Sequence, residues 1–231
     1  SIGIEVAAGN LSDSNGDFLY TVKWSDGVNF VSKGVTITYN PSGSSLTWYG
    51  DRAVSFGFQS PADMQYFDIT TAGDASNFGD YTGVYSYSAG AGGNSQYAVV
   101  AGNKDDGTMT ADCQYVTVST LGNAQNWGDL FVRNRDPIGT QHSDRIIWFP
   151  GQDPSLTYQY NNDRIMYLDL ASTGNGGDFG NLVVPRSGGT GCGDGTRAYC
   201  ATGFNYTGSS TRYNNIDVVT VDTTADATDF G

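Results

Sequence analysis

The sequence predicts an all-β protein, and its composition and an internal repeat carry this prediction. Glycine contributes 32 of the 231 residues, whereas Glu5 is the only glutamate and lysine occurs three times. Glu and Lys favour helices, while Gly, Asp, Asn and Ser favour turns. A helical bundle and a fold of alternating strands and helices are therefore both disfavoured. Short strands joined by tight polar turns fit this composition best.

The charge of the chain narrows the set of partners. The formal net charge is −13, from 24 acidic and 11 basic residues. Nucleic-acid binding and attraction to anionic membranes both need clustered Lys and Arg, so both are disfavoured. No segment approaches the roughly 18 consecutive apolar residues of a membrane-spanning helix, and Ser1–Asn10 lacks the pattern of a signal peptide. The composition is typical of a protein that works outside a cell.

A repeat of about 50 residues dominates the chain after residue 45. The shared aromatic residues lie 49, 52 and 51 residues apart, and a glycine follows each of them. A unit of this length has the size of a β-propeller blade, and the order of its motifs is that of kelch-type units. The sequence therefore predicts three to four kelch-like β-propeller blades in a partial array. The aligned segments are Met64–Asp80, Cys113–Asp129, Ile165–Asn181 and Ile216–Gly231, with aromatics Phe78, Trp127, Phe179 and Phe230.

Each repeat predicts two strands and two turns. The first strand is apolar on both faces, as expected for a strand that is covered on both sides. A Gly-Asx or Ala-Asp step then predicts a turn, and the aromatic-Gly step predicts a second turn anchored by the ring, where the glycine permits close backbone approach. A second motif predicts a strand that carries Arg and ends in Gly, with Gln96 replacing Arg in one copy. Its copies are Asp51–Gly57, Ser95–Gly102, Asp144–Gly151 and Thr196–Gly203.

The other segments of each repeat predict loops and one more strand. Polar hairpin loops are expected at Ser86–Asn94, Asp136–Ser143 and Ser187–Thr196. A third strand is expected at Leu130–Val132 and Leu182–Val184, where apolar residues follow the aromatic-Gly step.

The chain is predicted to have two parts. Residues 1–45 do not carry the repeat, but Leu19–Trp24 and Val35–Tyr39 alternate as strands do. We predict that 1–45 form an N-terminal β segment, either a divergent blade or an attachment element, and that 46–231 form the repeats. The fourth motif stops at Phe230–Gly231, which is expected either for a truncated array or for a ring that is closed by strands from both ends of the chain. We favour the partial array and expect the chain to hold no whole number of blades.

No residue is predicted to be catalytic, and no cofactor or metal site is predicted. His142 is the only histidine and lies in a predicted loop, where solvent exposure is expected. Asp13–Asp17 and Asp105–Gly107 have the oxygen-rich spacing of calcium loops but lack the distal Glu, so hairpin turns explain both. Asp residues would allow a glycan hydrolase, but many lie at predicted turns, where a structural role is sufficient. These are Asp74, Asp178, Asp226 and Asp229.

The three cysteines leave at least one thiol unpaired. Cys192 and Cys200 lie eight residues apart across a Gly-rich turn, so a disulfide between them is one alternative. Cys113 and Cys200, however, occupy apolar strand positions, which favours free thiols that pack as small hydrophobic side chains. Asn10–Ser12 and Asn205–Thr207 match glycosylation sequons, which matter only in a eukaryotic secretory context.

The segment Ile165–Arg186, IMYLDLASTGNGGDFGNLVVPR, carries the repeat in its fullest form. It resembles the kelch-like repeats of virion structural proteins, notably tail-fibre-like proteins of marine tailed phages, including cyanophages. The resemblance covers residues 46–231 and implies a non-enzymatic component of the virion surface. Its implied partners are neighbouring virion subunits and a host glycan or receptor, and analogy with fibre proteins implies a homo-oligomer, a trimer. The resemblance supplies no catalytic residue.

Aromatic residues in the predicted loops keep two other functions open. Tyrosine rings suit the recognition of sugars and proteins. A secreted or cell-surface carbohydrate-binding module, or an extracellular filament subunit, is the alternative, and a glycan hydrolase is less favoured. The tyrosines are Tyr85, Tyr87, Tyr158, Tyr160, Tyr206 and Tyr213.

Overall fold

The chain is all-β throughout the residues that the computed structural model describes. These are residues 3–12, 18–25, 30–37, 52–57, 63–82, 90–105, 108–140, 142 and 144–231. They form strands joined by turns, bends and irregular segments, and no helix occurs within these ranges. The all-β prediction is therefore confirmed. The chain divides into two compact units, Ser1–Ser42 and Gly43–Gly231.

The N-terminal unit contains one antiparallel sheet of three strands, with the second strand in the middle. Its pairing with the third strand is uninterrupted from Phe18 to Ser25, whereas its pairing with the first strand shifts register between Ala8 and Ser12. The predicted strand Leu19–Trp24 lies within the middle strand, and the last two residues of Val35–Tyr39 lie outside the described residues. The strands are β1 (Gly3–Ser12), β2 (Phe18–Ser25) and β3 (Phe30–Ile37).

The second unit contains four consecutive antiparallel sheets, which we number 1 to 4. A short hairpin, β17 (Phe204–Tyr206) with β18 (Ser210–Arg212), interrupts sheet 4. Sheet 1 is β4 (Arg52–Phe56), β5 (Asp63–Asp68) and β6 (Ser76–Asp80), and sheet 2 is β7 (Gly90–Gly93), β8 (Tyr97–Asp105), β9 (Thr108–Thr117) and β10 (Gln125–Asp129). Sheet 3 is β11 (Ile138–Gly139), β12 (Arg145–Phe149), β13 (Arg164–Asp169) and β14 (Gly177–Asn181), and sheet 4 is β15 (Thr190–Gly193), β16 (Arg197–Ala201), β19 (Ile216–Thr220) and β20 (Thr228–Asp229).

The aromatic-Gly step lies in the last strand of sheets 1 to 3, so its assignment to a turn was wrong. Phe78, Trp127 and Phe179 lie in β6, β10 and β14. The register shifts at this step in all three sheets, because the glycine forms a bulge with a positive φ angle. The strands predicted at Leu130–Val132 and Leu182–Val184 are instead bends, because the chain leaves the sheet there to reach the next one.

The predicted loops Ser86–Asn94, Asp136–Ser143 and Ser187–Thr196 contain the first strands of sheets 2, 3 and 4, so the prediction was wrong for the residues of these strands. Residues 86–89, 141 and 143 lie outside the described residues. These strands, β7, β11 and β15, lie against one another in chain order. A Cβ atom on Gly90 would lie 2.0 Å from the carbonyl oxygen of Pro137. These strands approach one another so closely that glycine takes the place of larger side chains. The sequence there therefore lacks the alternation of apolar and polar residues that would have predicted a strand.

The apolar cores lie between consecutive sheets. Each is centred on the aromatic of the repeat, since Phe78, Trp127 and Phe179 are at most 3% exposed. Burying one such side chain contributes roughly 1.5–3 kcal/mol. The first core holds Phe56, Met64, Phe78, Tyr81, Val100 and Val116. The second holds Val99, Ala101, Cys113, Trp127, Leu130, Ile146, Trp148, Met166, Leu168 and Leu170, and the third holds Ile147, Phe149, Ile165, Phe179, Leu182, Ala198, Cys200, Val219, Val221 and Ala227.

Adjacent residues of the first strand of the motif face different cores. Ile165 packs in the core shared with sheet 4, and Met166 packs in the core shared with sheet 2. The prediction of a strand covered on both faces is therefore confirmed for sheet 3.

Consecutive sheets are held together by a recurring set of hydrogen bonds, which we call the joint. The glycine of the turn in one sheet donates its N–H to the carbonyl oxygen of the preceding sheet's aromatic, as in Gly174 to Trp127 at 2.8 Å. The next residue, Asn or Asp, accepts a hydrogen bond from the residue that follows the aromatic-Gly step. These bonds join Asp80 N to Asn123 Oδ1 at 3.0 Å, Asp129 N to Asn175 Oδ1 at 3.0 Å and Asn181 N to Asp226 Oδ1 at 2.9 Å.

The joint explains the glycine that follows the aromatic in sheets 1 to 3. Gly128 has a φ of +143°, and a Cβ atom there would lie 2.4 Å from the carbonyl oxygen of Gly174 in the next sheet. Gly79 and Gly180 show the same approach, each at 2.3 Å. The expectation that this glycine permits close backbone contact is confirmed, and the contact is between sheets.

Arginine adds a side-chain bond to two of the joints. Nη1 of Arg52 in sheet 1 donates to the carbonyl oxygen of Val118, just beyond β9, at 2.9 Å. Nη1 of Arg145 in sheet 3 donates to the equivalent carbonyl of Val221 at 3.2 Å. Each guanidinium also lies over a tyrosine ring of its own sheet, at 4.4 and 4.3 Å from the ring centroid.

Tyr97, and not Gln96, takes the arginine position in sheet 2. Tyr97 pairs with Thr117, the register position at which Arg52 pairs in sheet 1. Its ring packs edge-on against Tyr115, with centroids 5.4 Å apart. The assignment of Gln96 was wrong by one residue, because an aromatic ring fills the place of the guanidinium.

Candidate functional site

The segments that connect strands at one end of sheets 2 to 4 form a continuous surface, which we call the loop end. It consists of residues 130–137, 150–163, 182–189 and 202–215. Backbone pairs join these segments, with Arg135 and Gln152 bonded at 3.0 and 2.7 Å and Ser187 and Phe204 at 2.9 Å in both directions. The loops are therefore held to one another by backbone hydrogen bonds.

Two buried asparagines fix the loop between β12 and β13. Asn134 Oδ1 accepts a hydrogen bond from Gly151 N at 3.1 Å, and Asn162 Nδ2 donates to Gly151 O at 3.0 Å. The backbone oxygen of Asn162 also accepts a bond from Arg186 N at 2.8 Å. Both asparagine side chains are buried, so each bond is made away from water.

A buried ion pair fixes the segment that leads into sheet 4. Arg186 and Asp217 are 1% and 0% exposed, and Nη1 lies 3.1 Å from Oδ2. The guanidinium also donates to the carbonyl oxygens of Thr202, Val184 and Cys200 at 2.7, 3.0 and 3.1 Å. Removing either charge would leave its partner buried without compensation.

The tyrosines predicted for recognition fall into two groups. Tyr158 and Tyr206 are 45% and 47% exposed at the loop end. Tyr160 and Tyr213 are half-buried: the ring of Tyr160 lies 5.1 Å from that of Phe204, and the hydroxyl of Tyr213 accepts a bond from Asn205 Nδ2. Tyr85 and Tyr87 lie outside the described residues. The structure thus leaves two of these tyrosines available for contact and uses two for packing.

His142 is buried at 3% exposure, so the expectation of a solvated loop histidine was wrong. Its backbone N–H donates to Gly93 O at 3.3 Å, and its Nδ1 accepts from Asp144 N at 3.4 Å. The backbone bond to Gly93 places His142 beside the first strand of sheet 2.

The aspartates considered for hydrolysis occupy different places. Asp226 accepts the joint bond from Asn181, and Asp229 Oδ1 accepts a bond from Gly231 N at 3.2 Å. Asp178 lies within β14 and not in a turn, since it pairs with Met166. Asp74 is exposed in the turn of sheet 1, as predicted. The structure brings no two of them together in a cleft among the described residues.

All three cysteines are free. Cys113 and Cys200 are buried as predicted, and burial raises the pKa of both thiols, that of Cys200 to about 11. Cys192 is exposed and lies opposite Tyr199 in the register, while Cys200 lies opposite Gly191.

In the described part of the chain, no group of three or more His, Cys, Asp or Glu side chains is suited to a metal. Asp13–Asp17 lies outside the described residues, and so do residues 106 and 107. The pairing of Asp105 with Thr108 continues the ladder up to that segment. In the sequon at Asn205 the amide is buried and hydrogen-bonded, so it is not presented for glycosylation.

Sequence reasoning missed the buried polar residues that hold the loop end: Asn134, Asn162, Arg186 and Asp217. Asp217 gave one signal, since it stands between the apolar residues Ile216 and Val218 of β19. The asparagines gave none, because an asparagine that holds a loop and one that faces solvent look alike in sequence.

Comparisons with known proteins bear on the fold. A scan against protein-family profiles finds no match, and a search of curated proteins finds none either. Among solved structures, the fold is similar to the one described as "Structure of YjhT", with a TM-score of 0.57 and 9% sequence identity, over 88% of this chain and 76% of that chain. At this identity the likeness concerns the fold alone. No helix in the described residues is long and apolar enough to cross a membrane.

Proposed function

We propose that the chain is a kelch-like β-propeller repeat protein that serves as a non-enzymatic component of a virion appendage, such as a tail fibre. Four consecutive sheets that pack face to face, with the first strands of sheets 2 to 4 side by side, support the propeller arrangement. The resemblance of Ile165–Arg186 to virion repeats supports the location. In this role the loop end contacts a host surface or a neighbouring subunit.

The observation that carries the proposal is the pair of exposed tyrosines on a rigid base. Tyr158 and Tyr206 project from loops whose backbone is fixed by Asn162, by the Ser187–Phe204 pair and by Arg186. A contact residue that is already held in place loses little conformational entropy on binding. Exposed aromatics on a fixed frame are therefore suited to recognition.

The same tyrosines support one alternative, a secreted or cell-surface carbohydrate-binding module or extracellular filament subunit. Tyrosine rings stack on the apolar faces of sugars, and this chemistry does not depend on a virion.

Electron microscopy of virions separates these two proposals. An antibody against this chain, visualised in negative stain on virions from the lysate in which its gene is expressed, is expected to label an appendage. Labelling that is absent from every virion, with the protein present in the medium, would contradict the virion proposal and support the alternative.

Binding assays with loop variants test the site itself. The double variant Tyr158→Ser with Tyr206→Ser is expected to bind host cells or glycans more weakly by about tenfold or more, the loss for a contact worth about 1.4 kcal/mol. Leu121→Ser is the matched control, since Leu121 is 52% exposed but lies in the β9–β10 turn, outside the loop end. Equal binding by both variants would contradict the assignment of the loop end.

A further inference from the structure

The exposed acidic side chains of sheets 3 and 4 gather at the end opposite the loop end. Successive strands are antiparallel, so the links β11–β12, β13–β14, β15–β16 and β19–β20 lie there. We call residues 142, 144, 169–176, 194–196 and 221–227 the turn end. Its exposed aspartates are Asp144, Asp169, Asp194, Asp222 and Asp226.

The loop end has the opposite character. None of its three aspartates is exposed, since Asp153 is buried and Asp136 and Asp163 are half-buried. Its exposed charged residues are two arginines, Arg133 and Arg212, and neither forms an ion pair with a described residue. The loop end therefore presents free positive charge on a chain whose formal net charge is −13.

The two ends are far enough apart for this difference to matter in solution. The strand β13 has six residues, which span about 20 Å in an extended chain. At physiological ionic strength charges are screened over about 8 Å. The aspartates of the turn end therefore do not cancel the arginines for a ligand that approaches the loop end.

Arg212 and the exposed Tyr206 share one face of the β17–β18 hairpin. Arg212 lies opposite Phe204 in the register and Tyr206 lies opposite Ser210, and side chains of cross-strand partners point to the same face. The ring of Phe204 lies 5.1 Å from that of Tyr160, so this face turns towards the loop of sheet 3 and not away past sheet 4. A guanidinium and a tyrosine ring are thus presented side by side.

The tip of the same hairpin is lined by hydroxyl groups. Each hydroxyl both donates and accepts hydrogen bonds, so a row of them suits a polyhydroxylated ligand better than an acidic peptide. A tyrosine ring suits the apolar face of a sugar, and the planar fork of a guanidinium matches the oxygens of a carboxylate or a sulfate. The exposed residues with these hydroxyls are Thr207, Ser209, Ser210 and Thr211.

We propose that the loop end binds an anionic polysaccharide, one that carries carboxylate or sulfate groups on its sugars. Arg212 pairs with the anionic group, the Tyr206 ring stacks on a sugar, and the hydroxyls of the hairpin tip bond to sugar hydroxyls. Arg133 adds a second positive charge on the same end. This inference deepens the contact role proposed for the loop end and rests on it.

Matched pairs of polysaccharides test the ligand class with the full chain. Polygalacturonate carries a carboxylate on each sugar, and its full methyl ester has the same backbone without charge; dextran sulfate and dextran form the equivalent pair for sulfate. We expect biolayer interferometry to show binding to at least one charged member, with a Kd at least tenfold lower than that of its uncharged counterpart. The pair that shows this difference identifies the anion.

Substitutions on the hairpin test the residues. Arg212→Gln and Tyr206→Ser are each expected to weaken binding to the charged polymer about tenfold or more, whereas Tyr206→Phe keeps the ring and is expected to bind as the wild type does. Arg197→Gln is the matched control, since it removes the same charge from a side chain that is 49% exposed and lies outside the loop end. Near-ultraviolet circular dichroism checks that each variant is folded.

Poly-glutamate, which carries carboxylates without sugars, separates the proposed ligand from an acidic peptide and is expected to bind at least tenfold more weakly than the better charged polysaccharide. The proposal would be overturned by no binding to either charged polysaccharide, by equal binding of charged and uncharged members or of poly-glutamate, or by equal losses in Arg212→Gln and Arg197→Gln. If the double variant of Tyr158 and Tyr206 loses binding to host cells while neither charged polymer binds, the contact role of the loop end stands and only the ligand class is wrong.

Discussion

The buried ion pair at the loop end gives the sharpest prediction about stability. Asp217→Ala leaves the Arg186 guanidinium almost fully buried with only neutral carbonyl partners, and it also frees the N–H of Val183, which donates to Asp217 Oδ2 at 2.9 Å. Leaving a buried charge without its partner costs about 3–5 kcal/mol. We therefore expect the free energy of unfolding to fall by about that amount.

Equilibrium unfolding in urea measures this loss, from the shift in midpoint at unchanged slope. Gln114→Ala is the matched control, since Gln114 holds the equivalent segment with two bonds between uncharged groups, from Thr82 N at 2.9 Å and to Thr82 O at 2.6 Å. Its loss is expected to be about 1–2 kcal/mol. A change of less than about 1 kcal/mol for Asp217→Ala, or a loss no larger than that of the control, would refute the assignment of the pair as a structural anchor.

Three further outcomes are expected. Gly128→Ala places a Cβ atom 2.4 Å from the carbonyl oxygen of Gly174, so we expect thermal unfolding to show a loss of stability of about 1–3 kcal/mol. Gly122→Ala is the control and is expected to cost less, because Gly122 has a similar φ of +155° but open space around its Cβ position. Equal losses would contradict a clash at the joint. A thiol reagent at pH 8 is expected to label only Cys192 in the native protein, because burial raises the pKa of the other two cysteines. In denaturant the reagent is expected to label all three. Labelling of more than one cysteine in the native protein would contradict this prediction. Backbone hydrogen bonds lower the pKa of Asp194 to about 2, so its contribution to stability is present above pH 4 and is lost as the pH falls through about 2; a carboxyl NMR titration with an ordinary midpoint would contradict this.

The repeat could be predicted from sequence because it recurs at fixed offsets. Four aromatics, each followed by Gly and preceded by a Gly-Asx or Ala-Asp step, identify a unit even though its geometry is unknown. The offsets do not show which residue each side chain or backbone group of the motif bonds to. The bond from Asp129 N to Asn175 Oδ1 spans 46 residues, so a turn signal and a contact between sheets have the same appearance in sequence.

The strands that were missed are those with the least side chain. β7 reads Gly-Ala-Gly-Gly, and no alternation of apolar and polar residues is possible there. The loop end was predicted only through its tyrosines, since the residues that fix it are ordinary Asn, Arg and Asp. Their role depends on burial that arises when four distant segments meet, as Arg186 meets Asp217 across 31 residues.

The repeated motif forms a joint between sheets, and amide hydrogen exchange of the native protein tests this role most directly. The amide of Asp129 lies on an exposed residue, and Asn175 Oδ1 accepts its hydrogen bond. In Asn175→Ala we expect this amide to exchange about fivefold faster or more, corresponding to about 1 kcal/mol, while the amides of Asp80 and Asn181 in the other joints keep their wild-type rates. An unprotected Asp129 amide in the wild type, or one whose exchange is the same in the variant, would contradict the joint.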